Sequence, residues 1–208
     1  MPVIAIDGPA GSGKSTVARA VAARLGLDHL DTGAMYRSVA FAALRDGVDP
    51  ADAGAVAALA GRLEIEVDGR VLVDGEDATA AIRGREVGIA VSTVAQNPAV
   101  RAEMVRRQRA WVAARSGGVL EGRDIASVVL PDADVKVYLT ASDAERARRR
   151  SAEIGRPGSE DVASELARRD RIDTGRAASP LVVAAGAVVI DTTGRSIEEV
   201  VDAVVMLL

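Results

Sequence analysis

The stretch with the clearest chemistry is residues 8–15, Gly-Pro-Ala-Gly-Ser-Gly-Lys-Ser, which has the Gly-x4-Gly-Lys-Ser spacing of a P-loop. Three glycines let the backbone turn so that successive N–H groups point at one anion, and the helix behind them adds unpaired donors. An apolar strand-like run precedes the stretch, so it predicts a nucleoside triphosphate site rather than a chance lysine in a turn. The predicted phosphate-binding residues are Gly8, Pro9, Ala10, Gly11, Ser12, Gly13, Lys14, Ser15 and Thr16, with Ser15 as a ligand for Mg²⁺.

Arginine carries nearly all the other positive charge, since the chain has no lysine besides Lys14 and Lys136. Arginine binds phosphate oxygens in a bidentate manner and keeps its charge. Arg37 falls in the first turns of a predicted helix, where a cation is unfavourable unless an anion binds nearby. Arg37 and Arg123 each follow a turn at the end of a strand, so we expect them to hold an acceptor phosphate.

A third group of arginines lies on a predicted helix that begins after Ser142, and its members are Arg146, Arg148, Arg149 and Arg150. A second helix, over about 160–171 and capped by Ser159, would complete a helical hairpin, with irregular chain over 172–176. We expect these arginines to close over the donor triphosphate. The alternative is a solvated helix face on which they pair with Glu145 and Glu153.

Composition limits the possible classes of protein. The chain has 208 residues, 49% of them hydrophobic and 27% charged, which is typical of one globular domain. Aromatic residues make up 2% and the net charge is −4, which argues against a nucleic-acid partner. Cysteine is absent, which excludes thiol catalysis, and no apolar run approaches the roughly 20 residues of a membrane span. With no apparent signal peptide, we expect a cytoplasmic protein without a membrane partner.

Strands alternate with helices along the chain, which predicts an α/β fold: a parallel β-sheet covered by helices on both faces, with ligands at its carboxyl edge. Residues 8–15, 31–33 and 121–124 each follow a strand and should meet at that edge. Glu121 would then approach the magnesium shell; the alternative is a surface carboxylate. For the single histidine, His29, we expect only a structural role. Asp49 is expected to be the N-cap of a helix with Pro50 in its first turn, and an alternating stretch near 63–83 with a hairpin at Asp68-Gly69 predicts a small β-rich insertion.

Several segments resemble the bacterial cytidylate kinases: Ile-Asp-Gly-Pro-Ala-Gly-Ser-Gly-Lys-Ser, Leu-Asp-Thr-Gly-Ala-Met-Tyr-Arg, Arg-Arg-Gln-Arg, Glu-Gly-Arg-Asp and Arg-Ile-Asp-Thr-Gly-Arg. The resemblance covers essentially the whole chain in order. It implies a P-loop nucleoside monophosphate (NMP) kinase of pyrimidine metabolism, which transfers the γ-phosphoryl group of ATP to CMP or dCMP with Mg²⁺. It also implies one kinase domain over 1–208, with an NMP-binding region over about 31–115 and a lid over about 142–176. We expect a monomer.

The resemblance also implies a role for each matching residue. Ser92, Arg101 and Asp124 would bind cytosine, while Asp173 would meet the ribose. Thr32 stands where other members carry serine, and Ile172 stands where some carry a cation. The implied substrate-binding residues are Thr32, Tyr36, Arg37, Ser92, Arg101, Arg123, Asp124, Arg169, Asp173 and Arg176, and the implied catalytic residues are Lys14, Arg123, Arg149 and Arg176.

The chemistry of cytosine agrees with this set. A carboxylate at Asp124 complements the N4 amino group, and Arg101 and Ser92 can donate to N3 and O2. Uracil would turn its O4 acceptor toward the carboxylate, at a cost on the order of a few kcal/mol, so UMP should be a poor substrate. Two alternatives remain: a kinase for another small acceptor, and a nucleotide-dependent regulatory or nucleic-acid-binding module. The chain lacks the Asn-Lys-x-Asp motif of GTPases.

Overall fold

The computed structural model describes residues 1–155, 160–176 and 179–208. It divides into two compact units, the first formed by Met1–His29 with Arg115–Leu208 and the second by Leu30–Ala114. In chain order the elements are β1 (Val3–Asp7), α1 (Lys14–Leu25), β2 (His29–Asp31), α2 (Thr32–Arg45), α3 (Ala53–Arg62), β3 (Ile65–Asp68), β4 (Arg70–Val73), β5 (Glu76–Asp77), α4 (Arg85–Val94), α5 (Pro98–Arg115), β6 (Gly118–Gly122), β7 (Val135–Thr140), α6 (Asp143–Glu153), α7 (Glu160–Thr174), β8 (Val188–Asp191) and α8 (Ile197–Val205). Short 3₁₀ and π-helical turns lie at Ala81–Arg83 and Ile125–Val129.

A five-stranded sheet has the strand order β2-β6-β1-β7-β8, and β6, β1, β7 and β8 lie wholly within the first unit. The pairs β1–β6, β1–β7 and β7–β8 are parallel, and Asp7 of β1 is in register with Gly122 of β6. The loops after β1 and β6 therefore leave the same edge of the sheet side by side. The expected α/β fold is confirmed.

Aliphatic side chains bury the sheet against its helices. Ile4 and Ile6 of β1 pack with Val17 and Val21 of α1 and with Val201 of α8 in one buried cluster. α8 begins with a capping box in which Ser196 and Glu199 exchange hydrogen bonds. Because Val, Ile and Ala fill this core, few aromatic residues are needed.

The second unit contains the β-rich insertion predicted near 63–83. Strands β3, β4 and β5 form an antiparallel sheet, and Gly69 has a φ of 65° at the hairpin turn. Arg107 of α5 donates to the carbonyls of Leu63 (2.7 Å) and Ala60 (2.9 Å), which pairs carbonyls at the C-terminal end of α3.

Two helix boundaries differ from the predictions. α3 begins at Ala53 with Asp52 as N-cap, because Asp49 instead accepts a hydrogen bond from Ala51 N in a local turn. α7 continues to Thr174, so residues 172–174, expected to be irregular, are helical. The Ser159 cap predicted for this helix lies outside the described residues. Within the described ranges, no helix is long and apolar enough to span a membrane.

Candidate active site

Glycine is required in the loop after β1. Gly8 has a φ of 150°, and a Cβ there would lie 2.1 Å from the carbonyl oxygen of Leu139. Gly11 has a φ of 77°, and a Cβ there would lie 2.9 Å from the carbonyl oxygen of Arg146. The loop therefore adopts a conformation that other residues would reach only with strain.

The N-terminus of α1 is suited to an anion. Gly13 is its N-cap residue, no side chain caps it, and its first turn holds no acidic residue. Lys14 is buried, and its Nζ donates to Pro9 O (2.7 Å) and to Ser12 Oγ (3.4 Å). Burial, and then the charge of Arg123, lower the pKa of Lys14 to about 7, although Glu121 and Asp7 oppose the shift. A bound phosphate would favour the charged lysine.

Ser15, Glu121 and His29 form a hydrogen-bonded chain next to this loop. Ser15 Oγ donates to Glu121 Oε2 over 2.7 Å, and His29 Nε2 lies 3.2 Å from Glu121 Oε1. Burial disfavours the carboxylate of Glu121, but the hydrogen bonds from His29 and Ser15 and the charge of Lys14 hold its pKa below the ordinary value. Glu121 is thus an inward-facing carboxylate rather than a surface one, and His29 has a partner that the sequence did not reveal.

The residues here fit Mg²⁺ bound together with a substrate. A serine hydroxyl and a buried carboxylate are oxygen ligands of the kind that Mg²⁺ prefers. Among the described residues, no group of three or more His, Cys, Asp or Glu side chains could hold a metal. Mg²⁺ commonly takes one or two protein ligands and completes its shell with phosphates and water, which matches this donor set.

Asp173 joins two arginines that were predicted to bind phosphate. Arg123 Nε donates to Asp173 Oδ2 over 2.9 Å, and Arg176 forms an ion pair with Asp173 Oδ1. Burial opposes the charge of Asp173, but Arg123 and Arg176 outweigh it and keep its pKa below the ordinary value; Arg169 adds to this effect. The extended α7 carries Asp173 in its last turn.

The arginines of α6 divide into two groups. Arg148 pairs with Glu145 and Arg150 pairs with Glu153, as the alternative interpretation of a solvated face required. Arg149 also pairs with Glu145, but its other nitrogens donate to Thr192 Oγ1 and Thr192 O, both over 2.8 Å. Thr192 in turn donates to Ser12 O over 3.1 Å. Among the contacts of the described residues, Arg149 is the one of these three that is tied to the phosphate loop.

Arg146 is a buried residue that the sequence did not single out from its neighbours. It donates to Ala10 O of the phosphate loop over 3.2 Å and forms ion pairs with Asp143 and with Asp170 of α7. It therefore joins α6, α7 and the loop. No local signal separates Arg146 from the exposed Arg148, because the difference depends on partners distant in sequence.

Asp7 is a second residue that the sequence missed. Its carboxylate is buried at the end of β1 and accepts hydrogen bonds from the backbone N–H groups of Ile125 and Ala126. Burial raises the pKa of Asp7 to about 6, and the charge of Asp124, which is also buried two residues after β6, adds to the rise.

The second unit holds the remaining predicted residues. The guanidinium of Arg101 lies over the ring of Tyr36, 5.5 Å from its centroid, and also donates to Ala95 O over 3.2 Å. Arg37 donates to Ile82 O over 3.0 Å. Thr32 is the first residue of α2 and is buried, as is Ser92 of α4. The unit thus brings Tyr36 and Arg101 together.

Comparison with known proteins gives one consistent result. The family model described as "Cytidylate kinase" matches residues 4–208. A cytidylate kinase of Pelotomaculum thermopropionicum is 51% identical, with 98% of this chain and 94% of the relative covered. A cytidylate kinase of Desulfitobacterium hafniense is 48% identical, covering 98% of this chain and 91% of the relative.

Solved structures of other kinases share the fold. A shikimate kinase from Acinetobacter baumannii, in complex with shikimate, superposes with a TM-score of 0.51 at 18% identity, covering 100% of this chain and 92% of that one. At this identity the likeness concerns the fold alone.

Proposed function

The chain belongs to the cytidylate kinase family, and on that basis we propose that it transfers the γ-phosphoryl group of ATP to CMP or dCMP. The products are ADP and CDP or dCDP. The observation that carries the proposal is the match of the family model to residues 4–208. It is supported by a glycine-rich loop, a buried lysine and a serine–carboxylate pair at the edge of a parallel sheet.

The donor side of the reaction is assigned to the phosphate loop. Backbone N–H groups of Gly8 and of residues 10–16 bind the ATP phosphates, since Pro9 has no N–H, and Lys14 neutralises the oxygens between the β- and γ-phosphates. Ser15 and Glu121 would hold Mg²⁺, which supplies positive charge at these oxygens when bound. Lys14 Nζ donates to Pro9 O, and we infer that a phosphate oxygen would replace this acceptor.

Three arginines are assigned to the phosphates between which the phosphoryl group is transferred. Phosphoryl transfer needs the two substrates in line and positive charge around the migrating phosphoryl group, and little covalent chemistry from the protein. We assign Arg149 to the donor phosphates and Arg123 and Arg176 to the acceptor phosphate. Asp173 forms ion pairs with both Arg123 and Arg176, which limits the side-chain freedom of the two arginines. Arg169 and the rest of the proposed lid (142–176) would exclude water.

The residues on the acceptor side determine which nucleotide is phosphorylated. We assign Thr32, Tyr36 and Arg37 to the phosphate of CMP and its neighbouring groups. Asp124 would accept from the N4 amino group, while Ser92 and Arg101 would donate to N3 and O2. Asp173 would contact the ribose, as the family pattern implies. These roles, the monomeric state and the cytoplasmic location remain predictions.

Two alternatives are less well supported. A kinase for another small acceptor is compatible with the fold shared with shikimate kinase, but not with a family match along the whole chain. A nucleic-acid-binding module would need a basic surface, whereas the net charge is −4.

A panel of acceptors tests the proposal. ADP release from ATP is measured with CMP, dCMP, UMP, AMP, GMP and shikimate as acceptors, and CMP or dCMP should give the highest kcat/KM. Lys14→Ala should lower kcat about a hundredfold or more, as expected for loss of a charge at the transferring group. Lys136→Ala is the matched control, because Lys136 is the only other lysine and lies on β7. A faster reaction with another acceptor would refute the proposal.

A further inference from the structure

Asp7 connects the loop after β1 to the segment after β6. It is the last residue of β1 and immediately precedes Gly8. Its Oδ1 accepts a hydrogen bond from Ile125 N over 2.9 Å and its Oδ2 accepts one from Ala126 N over 2.8 Å. The side chain is 2% exposed, so both bonds are shielded from water.

The two N–H groups belong to the start of the π-helical turn Ile125–Val129. Asp124 is the N-cap residue of this turn, but its side chain does not cap it. Asp7 caps the turn from a different strand and satisfies two donors that helix starts leave unpaired. Arg123 and Asp124 are the residues directly before the capped turn, so their backbone is held between β6 and this carboxylate.

Burial of the Asp7 carboxylate at this position costs free energy. Ile4, Ala5 and Ile6 of the same strand are fully buried and apolar. Burial raises the pKa of Asp7 to about 6; the bonds from Ala126 and Ile125 and the charge of Lys14 oppose the rise, and Asp124 adds to it. An apolar residue would be the usual choice for such a site, which indicates that the two hydrogen bonds have a specific role.

We propose that Asp7 is a positioning residue for the acceptor: by holding Ile125 and Ala126 it fixes Arg123 and Asp124 in the orientation that binds CMP. The inference rests on the proposed function, because the roles of Arg123 and Asp124 come from it. Asp7 itself touches neither substrate; it acts through the two residues that do. Since it also precedes Gly8, the same side chain links the donor and acceptor loops of the first unit.

The test uses Asp7→Asn in the full-length enzyme. Asparagine keeps the shape and one acceptor oxygen, but its amide nitrogen cannot accept the second N–H. We expect the KM for CMP to rise about tenfold and the CMP-over-UMP ratio of kcat/KM to fall about tenfold. The free energy of one hydrogen bond to a charged group corresponds to a factor of about ten. The KM for ATP should change less than about threefold. Asp134→Asn is the matched control: Asp134 accepts from Val3 N over 2.8 Å at the other end of β1.

A second variant removes the donor of one of these hydrogen bonds instead of changing the acceptor. Ala126→Pro removes the N–H that Asp7 Oδ2 accepts, a first-turn donor that helix starts leave unpaired, and leaves the carboxylate in place. It should show the same rise in KM for CMP and the same loss of base selectivity, and it serves if Asp7→Asn does not fold.

The outcomes separate the inference from the proposed function. Wild-type enzyme that fails to phosphorylate CMP refutes both. Active wild type, with variants that keep its KM for CMP and its base selectivity, refutes the positioning role alone. Equal losses with CMP and UMP, together with a lower Tm, would also overturn it, since they indicate a purely structural residue.

Discussion

Ser15 Oγ donates a hydrogen bond to Glu121 Oε2 over 2.7 Å, which joins the end of the phosphate loop to the end of the neighbouring strand. Glu121 is 4% exposed and also contacts His29. The two oxygens lie 106 residues apart in the chain and meet because β1 and β6 are adjacent and parallel. This pair is the strongest local support for metal-assisted phosphate chemistry.

Glu121→Gln should weaken the use of Mg²⁺. Glutamine keeps the shape of the side chain but loses the charge that a divalent cation requires. We expect the Mg²⁺ concentration for half-maximal rate to rise about tenfold, because the loss of one contact to a charged group weakens binding by about that factor. The checks are a Mg²⁺ titration of the rate and calorimetric ATP binding with and without Mg²⁺. Glu198→Gln, in the first turn of α8, should match wild type; an unchanged titration for Glu121→Gln would exclude the assigned role.

Asp124→Asn should reduce discrimination between bases. The asparagine amide would present a donor to O4 of uracil as readily as its oxygen accepts from N4 of cytosine. The ratio of kcat/KM for CMP over UMP should fall by about tenfold or more. Steady-state rates with both nucleotides measure this. A loss of equal size on both would argue against direct contact between Asp124 and the base.

Arg146→Ala should destabilise the protein and impair ATP binding. The change leaves Asp170 without its ion-pair partner and removes the contact with Ala10 O. A cost of about 3 kcal/mol is expected when one partner of a buried pair is removed. Arg148→Ala is the matched control on the same helix, because Arg148 is largely exposed and pairs only with Glu145 in the described part of the chain. The Tm and the KM for ATP should change for Arg146→Ala alone, and equal effects of both variants would show that the contacts of Arg146 with Ala10 and Asp170 have no special role.

Asp7 should also make the free energy of unfolding depend on pH. Its folded-state pKa of about 6 lies above the ordinary 3.8, so between these values the folded protein binds a proton that the unfolded chain does not. The free energy of unfolding contributed by Asp7 therefore rises as the pH falls from about 7 to 4, by up to about 3 kcal/mol at about 1.4 kcal/mol per pKa unit. Asparagine at position 7 cannot titrate.

The difference between wild type and Asp7→Asn isolates this contribution. Urea unfolding at pH 7, 6, 5 and 4 should show wild type gaining stability relative to the variant. Hydrogen bonds from Arg106 and from Arg148 lower the pKa of Glu103 and of Glu145 to about 2, so their stabilisation is lost only below about pH 4.5 and affects both proteins alike. A difference that does not depend on pH would contradict the assigned shift.

The phosphate loop, the parallel sheet and the hairpin at Gly69 could be predicted from sequence because each is specified locally. Glycine spacing, strand and helix periodicity and turn residues act over a few positions. The same holds for the cap at Ser196. Asp49 and Asp52 are both suitable N-cap residues for α3, and the local pattern does not decide between them. The predicted N-cap, Asp49, was wrong.

The individual roles of Asp7 and Arg146, which the sequence did not reveal, depend on partners distant in the chain. Asp7 gains its role from Ile125 and Ala126, which follow a different strand, and Arg146 from Ala10 and Asp170. Nothing within a few residues of either side chain distinguishes it from an ordinary strand end or a surface arginine. Such roles follow from sheet order and helix packing, which a single sequence does not specify in detail.

Direct detection of the products tests whether the enzyme phosphorylates CMP. The enzyme is incubated with ATP, Mg²⁺ and CMP, and the nucleotides are separated by ion-exchange chromatography. A CMP kinase should form CDP and ADP in equal amounts, and the kcat/KM with UMP should be at least about tenfold lower. ADP formed without CDP, or UMP phosphorylated as well as CMP, would contradict it.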